Sequence, residues 1–209
     1  MRVPWFFLKN ARKPSGFWGR MFIAHMNRGH AALTAWALSL LDIKKADNVI
    51  DIGCGGGRAI SILAKDYDIK KVFGIDYSDT SVKCAKRRNA KAIKAGRVEI
   101  IKGNVSRMPF DEDFMDYAVS FESYYYWDDI IEDTKGIRNI LKPGGKFMMV
   151  AEMYKNESNT ISQQQFVEDL QMHNLTLQEF REVFQKSGFQ DIRITCHDRK
   201  GWICVVGTK

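Results

Sequence analysis

The stretch VIDIGCGGGRA, Val49 to Ala59, constrains this chain more than any other. An apolar run ends in an acid and a burst of glycines, and a helical pattern follows at once. Such a turn joins a strand to a helix and lets the backbone come close to a ligand. The dinucleotide fingerprint needs G-x-G-x-x-G. Counted from Gly53 its last position is Arg58, and counted from Gly55 it is Ile60, so both frames fail. The phosphate P-loop fails as well, because no Gly-Lys-Ser/Thr follows. Asp51, just upstream of the glycines, suits a cationic ligand better than a pyrophosphate.

Around that turn the chain alternates. Short apolar runs at 48–52, 71–76, 97–103, 115–121 and 146–153 read as strands. Between them lie helical patterns at 58–65, with Ile60, Leu63 and Ala64 inward, at about 79–95 after a Ser78 or Asp79 cap, and at about 129–141. Strands alternating with helices mean right-handed crossovers and a parallel sheet covered on both faces. Ser162 with Gln165 and Thr176 with Glu179 carry capping-box spacings that open two more helices. FQDIRITC and GWICVVGT are then joined by HDRK, a link that permits only an antiparallel hairpin. The expected fold class is α/β: a Rossmann-like three-layer sandwich around a seven-stranded, mostly parallel sheet with a C-terminal antiparallel hairpin. Residues 1–46 read as an N-terminal helical cap and 47–209 as the core of a single domain. In the cap, 31–41 reads as a helix with Leu33, Ala37, Leu40 and Leu41 on one stripe, preceded by one or two short helical pieces.

A length of 209 residues, 45% of them hydrophobic, suits one domain with a sizeable core. The net charge of +7 sits at one end: residues 1–45 hold eight Lys or Arg against one acid. A basic end favours nucleic acid, acidic partners or an anionic membrane, but without a long block of like charge the plainer reading is a solvated basic surface. The four cysteines, Cys54, Cys84, Cys196 and Cys204, match neither a disulfide framework nor a zinc site. They read as reduced thiols in a cytoplasmic protein. No apolar run reaches the length of a membrane span, and VPWFFL is too short for a signal-peptide core.

Ligands of such sheets sit at the carboxyl ends of the strands, where four segments collect. Asp51, Gly53, Cys54, Gly55 and Gly57 form the first. Asp76 ends the second strand and suits a ribose diol, with Tyr77 beside it as a flat face for adenine. Asn104 and Val105 offer an amide and a backbone N–H to an adenine edge. Phe121 and Glu122 end the fourth strand, and Ser123, Tyr124, Tyr125, Tyr126 and Trp127 follow. Some of these aromatics line a pocket with Glu122, and others pack beneath the N-terminal segment.

Together these residues resemble the class I S-adenosylmethionine-dependent methyltransferases, in their small-molecule branch. VIDIGCGGGR is similar to the family's first motif, GIDYSD to its ribose-binding acid, GNVSRMPF to its adenine segment and LKPGGKFMMV to its fifth-strand lead-in. The resemblance covers about 49–150 and leaves 1–46 outside. Asn104 stands where the family often has Asp. The likeness implies S-adenosylmethionine as cofactor and S-adenosylhomocysteine as its product. Asp51 and the glycines would face the methionine part, Asp76 the ribose, and Asn104 with Val105 the adenine.

Phe121-Glu122-Ser123-Tyr124 is not the Asp/Asn-Pro-Pro-Tyr of exocyclic-amine methyltransferases, and no Pro-Cys marks a cytosine-carbon nucleophile. The expectation is therefore a small-molecule acceptor, an amine or another N, O or S nucleophile. Glu122, His30 and Tyr125 are the catalytic candidates. Trp18, His25, Asn27, Tyr124 and Trp127 are the acceptor-binding candidates. His25 and His30 are five apart, so they form no helical metal pair, and no metal is expected. Nucleic acid and a membrane span are not expected as partners, and the oligomeric expectation is a monomer or weak homodimer. Two alternatives remain: an RNA or ribosomal-protein methyltransferase using the basic N-terminus, and a non-catalytic S-adenosylmethionine-binding module.

Overall fold

The computed structural model describes residues 10, 12–41, 43, 45–156 and 161–209. The VPWFFL segment lies outside them. The first two helices whose full range is described are α1 (Gly16–Gly29) and α2 (Ala31–Leu40). The sequence predicts one or two short helical pieces before Ala31. Among the described residues, Asn10 and Arg12 are helical, and α1, at 14 residues longer than expected, starts just after Pro14. In α2 the buried face carries Leu33, Thr34, Ala37 and Leu38, and Leu41 is buried just beyond it. Leu40, expected on that stripe, faces solvent.

The alternating part follows as β1 (Ala46–Ile52), α3 (Arg58–Asp66), β2 (Ile69–Asp76), α4 (Asp79–Arg88), α5 (Ala90–Lys94), β3 (Val98–Lys102), β4 (Met115–Phe121), a 3-10 turn at Tyr124–Tyr126, α6 (Ile130–Ile140), β5 (Leu141–Ala151), α7 (Ile161–Asp169), α8 (Leu177–Lys186), β6 (Gln190–Cys196) and β7 (Ile203–Thr208). The single helix expected over 79–95 is split at Asn89. The Asn89 amide donates to Ala85 O and Gly57 O, both at 3.0 Å, so it ends one helix while tying it to the glycine turn. β5 starts at Leu141, ahead of Pro143, because Leu141 already pairs with Met115. Thr176 and Glu179 form a reciprocal capping box. Ser162 lies inside α7, which already includes Ile161, and its side chain lies outside the described residues; the Gln165 amide donates to Asp169.

The seven strands lie in the order β3-β2-β1-β4-β5-β7-β6. β1 to β5 are parallel, and β7 enters antiparallel between β5 and β6. Side chains along β5 alternate between two cores. Phe147 and Met149 pack with α6 and α8, whereas Met148 and Val150 pack with α2, α3 and α4. This is the three-layer arrangement expected from the alternation. Cys204 sits opposite Thr195, one residue out of register with Cys196, so the two thiols point to opposite faces and stay free.

Gly207 on β7 shows how tightly the hairpin packs. A Cβ there would lie 2.7 Å from Phe184 and 2.9 Å from Phe189. Gly207→Ala is expected to destabilise the fold by about 1–3 kcal/mol, read as a lower denaturation midpoint with an unchanged m-value. An unchanged midpoint would show that the two rings give way freely.

Candidate active site

The chain runs outward from β1 to β3 and then returns to β4, so the strand order reverses between β1 and β4. Open α/β sheets bind ligands in the crevice at the carboxyl ends beside such a reversal. A cavity of about 290 Å³ lies there, walled by all four segments singled out in the sequence and by α1.

At the end of β1, Asp51 is only 2% exposed, and its Oδ1 has no hydrogen-bond partner. Burial, with the charge of nearby Asp76 adding to it, pushes its carboxyl up to about 8. The glycines that follow answer separate demands. Gly53 has a φ of 71°, and a Cβ on it would lie 2.3 Å from the Cβ of Ser123. Ser123 needs that space, because its hydroxyl donates to Ile52 O at 3.0 Å and shares a 2.6 Å hydrogen bond with Ser120. The first and fourth segments are thereby locked together. Gly57, also at φ 71°, abuts Ala85 and Asn89 and caps α3. Gly55 faces open space on the cavity wall. Cys54 contributes to the wall, and its side chain packs in the core.

At the end of β2, Asp76 Oδ2 accepts the Gly55 N–H at 2.9 Å and Oδ1 accepts the Ser78 N–H at 2.8 Å. Burial raises its carboxyl, and these two amides oppose the rise. Tyr77 lines the cavity, and its hydroxyl donates to Arg12 O. Ser78 Oγ donates to Pro14 O at 2.7 Å, and the Lys13 ammonium sits 5.6 Å over the Tyr77 ring. Residues 12–14 thus strap across this corner of the site. Asn104 and Val105 stand on the wall after β3. Asn104 is also a turn former, accepting the Ser106 N–H at 3.4 Å.

After β4, Phe121 and Glu122 stand on the wall. Glu122 has a φ of 56°, a left-handed conformation that costs energy for a residue with a Cβ. Its Oε1 accepts the Glu152 N–H at 2.5 Å. Burial raises its carboxyl to about 8; the charge of Glu152 pushes the same way, while His30 opposes it. Tyr126 and Trp127 also line the cavity, and the Trp127 ring stacks on Phe147 at 6.5 Å.

Tyr124 is not on the wall. It is fully buried, edge-on to Phe180 at 5.2 Å, because the 3-10 turn rolls it into the core. Tyr125 is buried too. Its hydroxyl accepts from Met153 N at 3.3 Å and has one proton to give, to Met153 O at 3.2 Å or to the Glu122 carboxylate, whose pKa it lowers. It props Glu122 from below and does not reach the cavity. From α1, Phe22, Ile23 and Met26 face the cavity, as does His30 at the junction with α2, while Trp18 and His25 lie on the exposed side of α1, away from the wall. The Asn27 side chain lies outside the described residues.

Sequence reasoning missed Glu152. Its carboxylate lies 3.5 Å from His30 Nε2, which lowers its pKa. On His30, burial works to lower the pKa, but Glu152 and Glu122 leave it raised. The ligand atoms of His30, Glu122 and Glu152 lie within 4.8 Å of one another. The rule that located Glu122, an acid just past a strand end, locates Glu152 when it is applied to β5.

The Methyltransferase domain family matches residues 50–149. The chain belongs to the class I S-adenosylmethionine-dependent methyltransferases. This methyltransferase is 26% identical over 176 residues to the uncharacterized methyltransferase YdaC of Bacillus subtilis, an alignment covering 84% of this chain and 90% of that one. It is 30% identical over 201 residues to the chloroplastic 2-methyl-6-phytyl-1,4-hydroquinone methyltransferase of Spinacia oleracea, covering 90% of this chain but about half of that protein, 54%. In fold it matches, with a TM-score of 0.79 and 24% identity over 99% of both chains, a chain of the complex between the Haloferax volcanii Trm112 methyltransferase activator and a methyltransferase. The site's chemistry fits S-adenosylmethionine. The buried, unpartnered Asp51 oxygen and open Gly55 offer room and an acceptor for the cationic methionine end, while Asp76 suits a ribose.

Asp51 yields a signed prediction. The folded chain keeps a proton on Asp51 up to about pH 8, whereas the unfolded chain loses it near the ordinary value of 3.8. Folding therefore takes up a proton between those values, and stability falls as pH rises through that window. At pH 7, Asp51→Asn is expected to raise stability by roughly 2 kcal/mol while weakening S-adenosylhomocysteine binding at least tenfold. Thermal melts and calorimetric titration check both halves. A lowered melting temperature with unchanged affinity would contradict this account.

Proposed function

We propose that this methyltransferase moves the methyl group of S-adenosylmethionine onto the nitrogen of a small amine-bearing acceptor. The observation that carries the reading is Glu122: a carboxylate in strained backbone, set between His30 and Glu152 and beside Phe121, Tyr126 and Trp127 on one cavity wall. A carboxylate amid aromatic rings suits an ammonium group.

The bound sulfonium supplies an electrophilic methyl, so the protein's contribution is alignment and a dry pocket. An ammonium has no lone pair to attack with. Glu122 takes one proton from the acceptor ammonium, which leaves a neutral amine and a neutral carboxylic acid. With its carboxyl at about 8, Glu122 is well matched to a proton transfer near neutral pH. Tyr125 and the Glu152 N–H hold the Glu122 carboxylate in place. His30, carried on the cap and paired with Glu152, orients the acceptor and seals the pocket. Asp51, Gly53, Gly55 and Asp76 hold the cofactor, with Tyr77, Asn104 and Val105 around the adenine. The four free cysteines support a cytoplasmic setting. Among the described residues, no helix is long and apolar enough to cross a membrane.

In this reading Glu122 carries the proton transfer and His30 and Glu152 position it and the acceptor, so the cluster serves as no metal site. Turnover is therefore expected to survive exhaustive chelation. Loss on chelation with rescue by a divalent cation would hand the three residues to a metal. Glu122→Gln is expected to lower kcat about 10²- to 10⁴-fold with S-adenosylhomocysteine affinity retained. The wild-type rate should rise with pH toward an inflection near 8, because only the ionised Glu122 accepts a proton. Acceptors are found by screening small molecules with methyl-labelled cofactor. A variant as fast as wild type on the true acceptor would remove Glu122 from the chemistry.

A further inference from the structure

The cap has an outer face that the site does not use. Along α1, Phe17, Met21, His25 and Arg28 follow one stripe, with Trp18 beside it, and all five are exposed. Phe17 is 59% exposed, Trp18 55% and Met21 51%; the other exposed large apolar side chains among the described residues, Leu40, Tyr77, Ile161 and Leu177, lie outside α1. Large exposed apolar groups gathered in one patch mark interaction surfaces. Arg20 borders the stripe, its guanidinium 5.7 Å over the Phe17 ring, and Arg28 closes it. Residues 10–41 contain four cations and no Asp or Glu.

We propose that the outer face of α1 seats this methyltransferase on an anionic lipid surface. The charge of the face selects among partners. A second copy would bring two acid-free basic faces together and repel. Stacking single-stranded RNA needs a positive groove with aromatic platforms, whereas this face is one convex helix. A helix with Phe, Trp and Met on one side, bordered by arginines and lacking acids, matches the pattern that lies flat in the headgroup region. The aromatic rings take the interfacial depth, and the arginines meet lipid phosphates. The opposite side of the helix, with Phe22, Ile23 and Met26, walls the cavity. Docking thus seats the cap and leaves the fold behind it in water. The inference needs only that geometry and does not depend on the acceptor being an amine.

The test is co-sedimentation of the full chain with vesicles at low salt. One set contains equal parts phosphatidylglycerol and phosphatidylcholine; the other is phosphatidylcholine alone. The expected result is binding to the anionic set that falls as salt rises. Phe17→Ser with Met21→Ser should cut it about tenfold or more. Arg20→Gln and Arg28→Gln should each cut it about fivefold. S-adenosylhomocysteine affinity unchanged in each variant shows that the cavity is intact. No sedimentation with anionic vesicles overturns the proposal. So does binding that the Phe17/Met21 change leaves untouched, which reports charge without insertion. Tighter binding to a polyribonucleotide than to the anionic vesicles, lost in the arginine variants, overturns it in favour of RNA.

Discussion

Asp76 holds two loops in one geometry, and the site depends on it. One carboxylate oxygen takes the N–H of Gly55 and the other the N–H of Ser78. The glycine turn after β1 and the turn after β2 are thereby set against each other. Ser123 does the same between β1 and β4, through the Ile52 carbonyl and the space that Gly53 leaves. Three strand ends are fixed this way before any ligand arrives. Preorganisation of this kind is what an alignment-driven reaction needs.

The same construction puts three acids on the wall of one cavity. Asp51, Asp76 and Glu122 all have carboxyls raised by burial. An empty site that keeps protons on buried acids is less stable than one built without them. On the proposed function, that cost is recovered when positive charge enters, as the sulfonium of the cofactor and the ammonium of the acceptor. Asp51 and Glu122 both line that cavity, so on the proposed function one electrostatic design would serve cofactor and acceptor alike.

Much of this was legible in the sequence, for physical reasons. The glycine turn and the strand-end acids obey local rules: a turn needs positive φ, and a strand end faces the crevice. The failed dinucleotide frames at Arg58 and Ile60 were decisive because the fingerprint depends on spacing alone. Less legible was anything set by long-range packing. Tyr124 and Tyr126 are two residues apart, yet one is in the core and the other on the wall, because a 3-10 turn rotates them differently. Asn89 breaks a helix that propensity alone would continue, since its amide finds carbonyls on a distant turn. Glu152 acquires its role only when α1 folds back and brings His30 to it. Trp18 and His25 were sensible candidates by position, but the helix that carries His30 inward turns them outward.

The central claim is that the crevice between β1 and β4 binds the cofactor with its sulfur toward Glu122. A crystal structure with S-adenosylhomocysteine tests it most directly. The account predicts the ribose hydroxyls on Asp76, the adenine between Tyr77 and the Asn104–Val105 backbone, and the sulfur on the side of the cavity bounded by His30, Glu122 and Trp127. A nucleoside bound elsewhere, or a sulfur turned away from Glu122, would contradict it.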